Sequence, residues 1–329
     1  MMWLTWRQFR GQALTAFAVL AALAIYLVIL GVRTRHTYEV NVGCTGCTAE
    51  SARDAMENAY NAALLLSGLL VTLVPALLGA FWGAPLVARE LETGTHRLVW
   101  NQSITRTRWL AIKLAVVALT GAALTGALSA LFTWAASPYD KLFGTRFEPL
   151  LFPTRNIAPI GYAVFAVLAG VTIGLLARRT VLAMAITLAA FLGLQILMPT
   201  VIRPHLQPAV TDVTKYSGAG TQGIGISGGG GGGVRVEGVN LPGAWVLTDG
   251  GNLLDSAGKP IGREVAESCM TGGPGKAIAC LEAKNLYVKV TYQPADRYWT
   301  FQWLEFAAYL LLAGLFAGFA FWRIPRGFS

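Results

Sequence analysis

The sequence predicts an all-α polytopic membrane protein with six transmembrane helices, both termini on the cytoplasmic side, and a small α+β domain outside the membrane between helices 5 and 6. Three observations carry that expectation. Of the 329 residues, 54% are hydrophobic and only 13% charged; six separate stretches are long and apolar enough to cross a bilayer; and the basic residues are densest on one side of those stretches. Globular domains carry about 25% charged residues. A soluble chain this long would lack the polar surface to cover its core.

A helical crossing takes about 20 residues. The candidate spans are 13–32, 62–86, 109–136, 157–177, 181–202 and 301–322. The first follows Arg7 and Arg10, as a signal peptide would, but it ends in Gly31, Val32 and Arg33 with no small-residue cleavage site, so it reads as a retained anchor. Ahead of it, Trp3, Trp6 and Phe9 fall at helical spacing beside those arginines, the pattern of a short interfacial helix.

Orientation follows from Lys and Arg. With the N-terminus inside, the cytoplasmic segments 1–11, 87–113, 178–180 and 323–329 hold eleven basic residues against two acids, Glu90 and Glu92. The outer segments 33–60, 137–156 and 203–298 are far longer and nearly neutral. The formal charge of +9 is therefore a topology signal and gives no support to nucleic-acid binding.

The chain divides into 1–202, which carries the interfacial helix and spans one to five with a cytoplasmic loop at 87–108; an outer domain at 203–298; and 299–329, the last span and its tail. Residues 49–61 have helix-forming composition and extend the second span outward. The 137–156 loop carries Pro138, Pro149 and Pro153 and is expected to be irregular. The outer domain opens with a flexible glycine-rich tract at 217–233, including six consecutive glycines at 228–233. Strand-like runs follow at 234–239, 244–248 and 286–292, with a helix around 276–285.

All four cysteines fall in outer segments, where disulfides are the default. Four cysteines allow three pairings, and the local pairs Cys44–Cys47 and Cys269–Cys280 are favoured over cross-pairs tying the two segments together. His36 and His205 are the only outer histidines, and nothing fixes them near the cysteines, so a zinc site is not expected.

No catalytic motif of the metalloprotease or serine-hydrolase kind occurs. Gly272-Gly273-Pro274-Gly275-Lys276 begins like a phosphate loop but continues with Ala277 and lies outside the membrane. The chain itself is expected to be no enzyme and to hold no cofactor. One ionisable residue lies within a span: Glu305, near Gln302, about one turn into the last helix. Such a carboxylate is either a substrate or proton contact, or a group at headgroup depth that is hydrated or paired with Arg297. Its depth favours the second reading.

The longest cytoplasmic segment, 89–113, sets Glu90 and Glu92 before a Gly-Thr turn amid basic residues. From the residues alone it is either a surface that docks on another protein or a charged connector.

At this segment the chain resembles a known family. Glu90-Leu91-Glu92-Thr93-Gly94-Thr95, followed by Ser103, Thr105-Arg106 and Lys113, is similar to the E-x-x-x-G-T … S-R … K pattern of ABC-2 type permeases, the membrane subunits of type V ATP-binding-cassette exporters. The six-span layout with an initial interfacial helix matches as well. The resemblance implies a bacterial cytoplasmic-membrane permease, a homodimer or a heterodimer with a related permease. It implies a separate ATPase subunit that carries the ATP and Mg, and outward movement of a hydrophobic or amphipathic substrate. It further implies that the loop is a coupling helix. Glu90 and Glu92 would position it, Gly94 and Thr95 would make its turn, and Arg97, Leu98, Trp100 and Arg106 would meet the ATPase, with Arg108 at the partner or lipid headgroups. The outer segment of about 96 residues departs from the short re-entrant element of simple members and points to a role in substrate handling, docking or gating. A membrane sensor or scaffold with a ligand-binding outer domain is the alternative. A lipid-modifying enzyme and a secondary transporter are disfavoured by the scarcity of polar groups in the spans.

Overall fold

The computed structural model describes residues 2–44, 47–94, 105–217, 223–226, 234–237, 239, 241, 243–248, 250–262, 265, 268–269 and 274–326. Six helices are long and apolar enough to cross a membrane. The chain forms two compact units. One comprises residues 1–143, 149–200 and 300–329, and the other 144–148 and 201–299.

In the first unit, α1 (Met2–Val42) runs unbroken for 41 residues. Helix α2 (Ala49–Leu78) begins at a capping box, in which Ser51 N–H donates to Thr48 Oγ1 and Thr48 N–H to Ser51 Oγ. It passes through a π turn, Gly79–Gly83, into α3 (Ala84–Glu92) without leaving helical geometry. Helix α4 (Arg106–Phe143) is followed by an irregular return with two short 3-10 turns, of which Phe152–Thr154 belongs to this unit and Thr145–Phe147 to the second. Helices α5 (Ala158–Ala177) and α6 (Thr180–Leu197) are separated by Arg178, in left-handed conformation, and the extended Arg179.

Lipid gives helices no hydrophobic reason to associate, so close packing must hold them. Small residues make that possible where the π turn crosses α5. A Cβ at Gly79 would sit 2.6 Å from the Ala166 carbonyl oxygen, and one at Gly83 would sit 2.7 Å from that of Val167. Neither position has room for a side chain. Around this crossing Leu27, Met56, Leu64, Val71, Phe132 and Val167 form a buried core shared by α1, α2, α4 and α5.

The second unit contains β1 (Val210–Lys215), β2 (Gly223–Ile226), β3 (Val234–Glu237), β4 (Trp245–Val246), β5 (Gly250–Leu254), α7 (Pro274–Ala283) and β6 (Tyr287–Gln293). The strands form one antiparallel sheet in the order β1-β6-β5-β3-β2, with β4 also paired to β6. Along β6, Val288 and Val290 point into the core with the exposed Lys289 between them, the period-two pattern of a strand covered on one face. Leu253, Val236, Leu281 of α7 and Cys269 complete that core. The glycine-rich tract is not structureless throughout: Gly223–Ile226 forms β2 against β3. Residues 218–222 and 227–233 lie outside the described residues. The last helix, α8, spans Tyr298–Arg326.

Candidate functional site

Helix α3 ends where its apolar face does. Leu86, Val87 and Ala88 are buried, and Glu90 and Glu92 follow on the last turn. Thr93 N–H and Oγ1 both donate to the Arg89 carbonyl, at 3.0 and 2.8 Å. Gly94 then takes φ +73°, a conformation costly for any residue with a Cβ and common where helices stop. A Cβ there would meet nothing within 4 Å, so the requirement for glycine is one of backbone conformation and not of space.

The two acids go to different helices. Glu90 accepts a hydrogen bond from Lys113 Nζ of α4 in an ion pair, and the same ammonium lies 3.5 Å from the Leu86 carbonyl oxygen and 4.3 Å from the centroid of the Trp109 ring. Carboxylate, carbonyl and ring face together replace most of the ammonium's water, and the side chain is 11% exposed. Glu92 reaches α6, where its Oε2 accepts from Thr180 N–H at 2.9 Å and Thr180 Oγ1 at 2.6 Å. The first N–H groups of a helix have no partner within it, and a carboxylate there satisfies one and meets the positive end of the helix dipole. One turn of α3 is thus fastened to the start of α4 and the start of α6.

Across the loop, Thr105 Oγ1 accepts from Arg108 N–H at 3.3 Å and starts α4. Arg106 is half-buried and Arg108 exposed. Cations weaken a helix start, so helix formation does not account for these two. Thr95, Arg97, Leu98 and Trp100 lie outside the described residues. Of the residues assigned to this loop from the sequence, the structure places Glu90, Glu92, Gly94 and Arg106 at its two ends. Lys113 was recognised as part of the motif. Thr180 was not singled out, being 88 residues from Glu92.

A second polar group lies among α5, α6 and α8. Glu305 is 1% exposed and accepts a hydrogen bond from Tyr162 Oη. Gln302 accepts from Ala158 N–H at 3.0 Å and donates to the Phe152 carbonyl at 3.3 Å. The Tyr162 ring lies 4.4 Å from that of Tyr309, whose hydroxyl donates to Gln195 at 3.1 Å. The expectation of a hydrated carboxylate, or one paired with Arg297, is corrected here. Glu305 is buried, and Arg297 donates instead to the Pro208 carbonyl at 2.7 Å and to Gln293 Oε1 at 2.9 Å.

Sequence reasoning missed an ion pair between Arg155 and Asp140, both buried, which closes the return from α4 to α5. The guanidinium also lies 5.6 Å from the Phe132 ring centroid. Cys44 and Cys47 stand at disulfide distance with their Cα atoms 5.5 Å apart, and so do Cys269 and Cys280. Among the described residues no three His, Cys, Asp or Glu side chains gather as a metal site.

A protein-family model described as ABC-2 membrane transporter related matches residues 17–203. No curated protein matches, and no solved structure does.

Proposed function

This chain belongs to the ABC-2 membrane transporter related family, and from that premise we propose that it is the permease subunit of an ATP-driven exporter whose ATPase is a separate chain. The observation that carries the proposal is the double fastening of one loop. Glu90 ties the end of α3 to α4, and Glu92 ties it to α6. A push by a partner on the segment between Gly94 and Thr105 would act on three helices at once. Thr95, Arg97, Leu98, Trp100 and Arg106 would form the face that meets the ATPase. The density of Lys and Arg supports an orientation with this loop and both termini in the cytoplasm, and with residues 203–298 on the far side of a bacterial cytoplasmic membrane. Two copies, or one copy and a related permease, would enclose the path of a hydrophobic or amphipathic substrate, with Gln302 and Glu305 as the polar contact within the spans.

The test is affinity purification in mild detergent from the native host, with ATPase assay of what co-purifies. A nucleotide-binding subunit should accompany the chain. Gly94→Val should abolish stimulation of its ATPase activity while the variant still inserts and keeps its unfolding midpoint within a few degrees. Absence of any ATPase across several detergents would overturn the proposal in favour of a sensor or scaffold.

A further inference from the structure

Helix α3 and the start of α6 touch through small side chains, Ala84 and Ala88 against Ala183, all fully buried. Beside that line of contact stand larger groups, Phe81 of the π turn, Pro85 and Met184, and between the helices they leave a cleft of about 450 Å³. One part of its lining is these three apolar side chains. The other is polar and ends at Arg89, Thr93 and Thr180, with Glu92 alongside.

The polar part carries one positive charge in excess, because Arg89 and the nearby Arg179 stand against the single carboxylate of Glu92. The Glu92 carboxylate is already engaged by two hydrogen bonds from Thr180. The Arg89 guanidinium is exposed and has no hydrogen-bond or ion-pair partner among the described residues. The sequence of residues 95–104 contains no acid. Arg179 adds a second cation near enough to Glu92 to act on its charge. Beyond the cleft the apolar lining continues on exposed surface. Phe81 is 52% exposed, and Leu77, four residues earlier, is 47% exposed. An occupant that joins an anionic head to an apolar chain fits both the exposed Arg89 and the apolar wall, and in a chain with six membrane-length helices such a molecule surrounds the protein.

We propose that this cleft is a binding site for one anionic glycerophospholipid, its phosphate paired with Arg89 and an acyl chain lying against Phe81, Pro85 and Met184. The site does not depend on the exporter reading, since it needs no ATPase and no substrate. If both hold, the lipid sits beside the hydrogen bonds by which Glu92 fastens the loop to α6.

Native mass spectrometry of the purified full-length chain tests this, with phosphatidylglycerol and phosphatidylcholine of identical acyl chains titrated in parallel. The first lipid retained should be phosphatidylglycerol, preferred by about fivefold, the effect of one basic side chain at an anionic lipid. Arg89→Ala should remove that preference. Met184→Trp, which fills the cleft from its apolar side, should weaken retention of both lipids. Equal retention of the two lipids by the wild type, or an undiminished preference in Arg89→Ala, would overturn the proposal. So would displacement of the lipid by glycerol 3-phosphate as readily as by intact phosphatidylglycerol, which would mark a phosphate site without a lipid chain.

Discussion

Glu92 caps the first turn of α6 by accepting from both the amide and the hydroxyl of Thr180. The contact crosses 88 positions of sequence, and it makes the start of one helix depend on the end of another. Removing the carboxylate leaves the Thr180 N–H in the same orphaned state as the other N-terminal amides of that helix. Glu92→Ala should lower the thermal unfolding midpoint of the purified protein, as the loss of an N-terminal cap does. Glu92→Ala and Thr180→Ala together should cost less than the sum of the two single changes, because both remove the bond between the Thr180 hydroxyl and the carboxylate. Full additivity in that double-mutant cycle would show that the hydroxyl bond contributes nothing.

The pair of Glu90 and Lys113 makes a different prediction, because it is largely shielded from water. Changing one member alone leaves the other charge without its counter-ion. Lys113→Met should therefore destabilise by about 1–3 kcal/mol. Adding Glu90→Leu to Lys113→Met should recover most of that loss, since two apolar groups of similar size can replace a shielded ion pair at little cost. Thermal midpoints of the two singles and the double decide it. A double variant no more stable than the worse single would show that the charges do more than balance each other.

In α8, Glu305 draws on Tyr162 for a hydrogen bond. Tyr162→Phe deletes that donor and should lower stability by about 1–3 kcal/mol. Glu305→Gln keeps an acceptor of the same shape and should cost less. Transport assays on the two variants separate a structural role from a substrate contact. If Glu305 contacts a cationic substrate, Glu305→Gln should lose transport while its unfolding midpoint stays close to wild type. Equal transport by both would confine the carboxylate to packing.

The spans were legible because a bilayer imposes one rule on every residue of a long stretch, and 20 or so apolar residues satisfy it without reference to any neighbour. Their helical ends were not. Helix α1 runs on through Arg33, Arg35 and His36 to Val42, and α4 through Pro138 to Phe143, because beyond the apolar stretch helical geometry continues on its own hydrogen bonds and on packing. Thr34, for instance, donates to the Ala135 carbonyl at 2.9 Å. The strand Gly223–Ile226 was hidden by its glycines, since its order comes from β3 and not from its own composition. Glu90, Glu92, Gly94 and Lys113 stood out in a motif, yet Thr180, the partner of Glu92, and Tyr162, the partner of Glu305, did not. Thr180 and Tyr162 become neighbours of the acids only through helix packing, and no local pattern records which face of α5 or α6 will meet them.

A π turn holds one residue more than the α-helical turn it replaces, and each residue of an α-helix advances the chain by about 100° around its axis. Everything after Gly83 is therefore a step out of phase with everything before Gly79. The apolar stripe of α2 and the acidic pair of α3 belong to one continuous rod, but the rod is indexed twice, once for the bundle core and once for α4 and α6. The extra residue between Gly79 and Gly83 works as a spacer in angle, and it is what lets a single helix present one side to its core and another to Lys113 and Thr180.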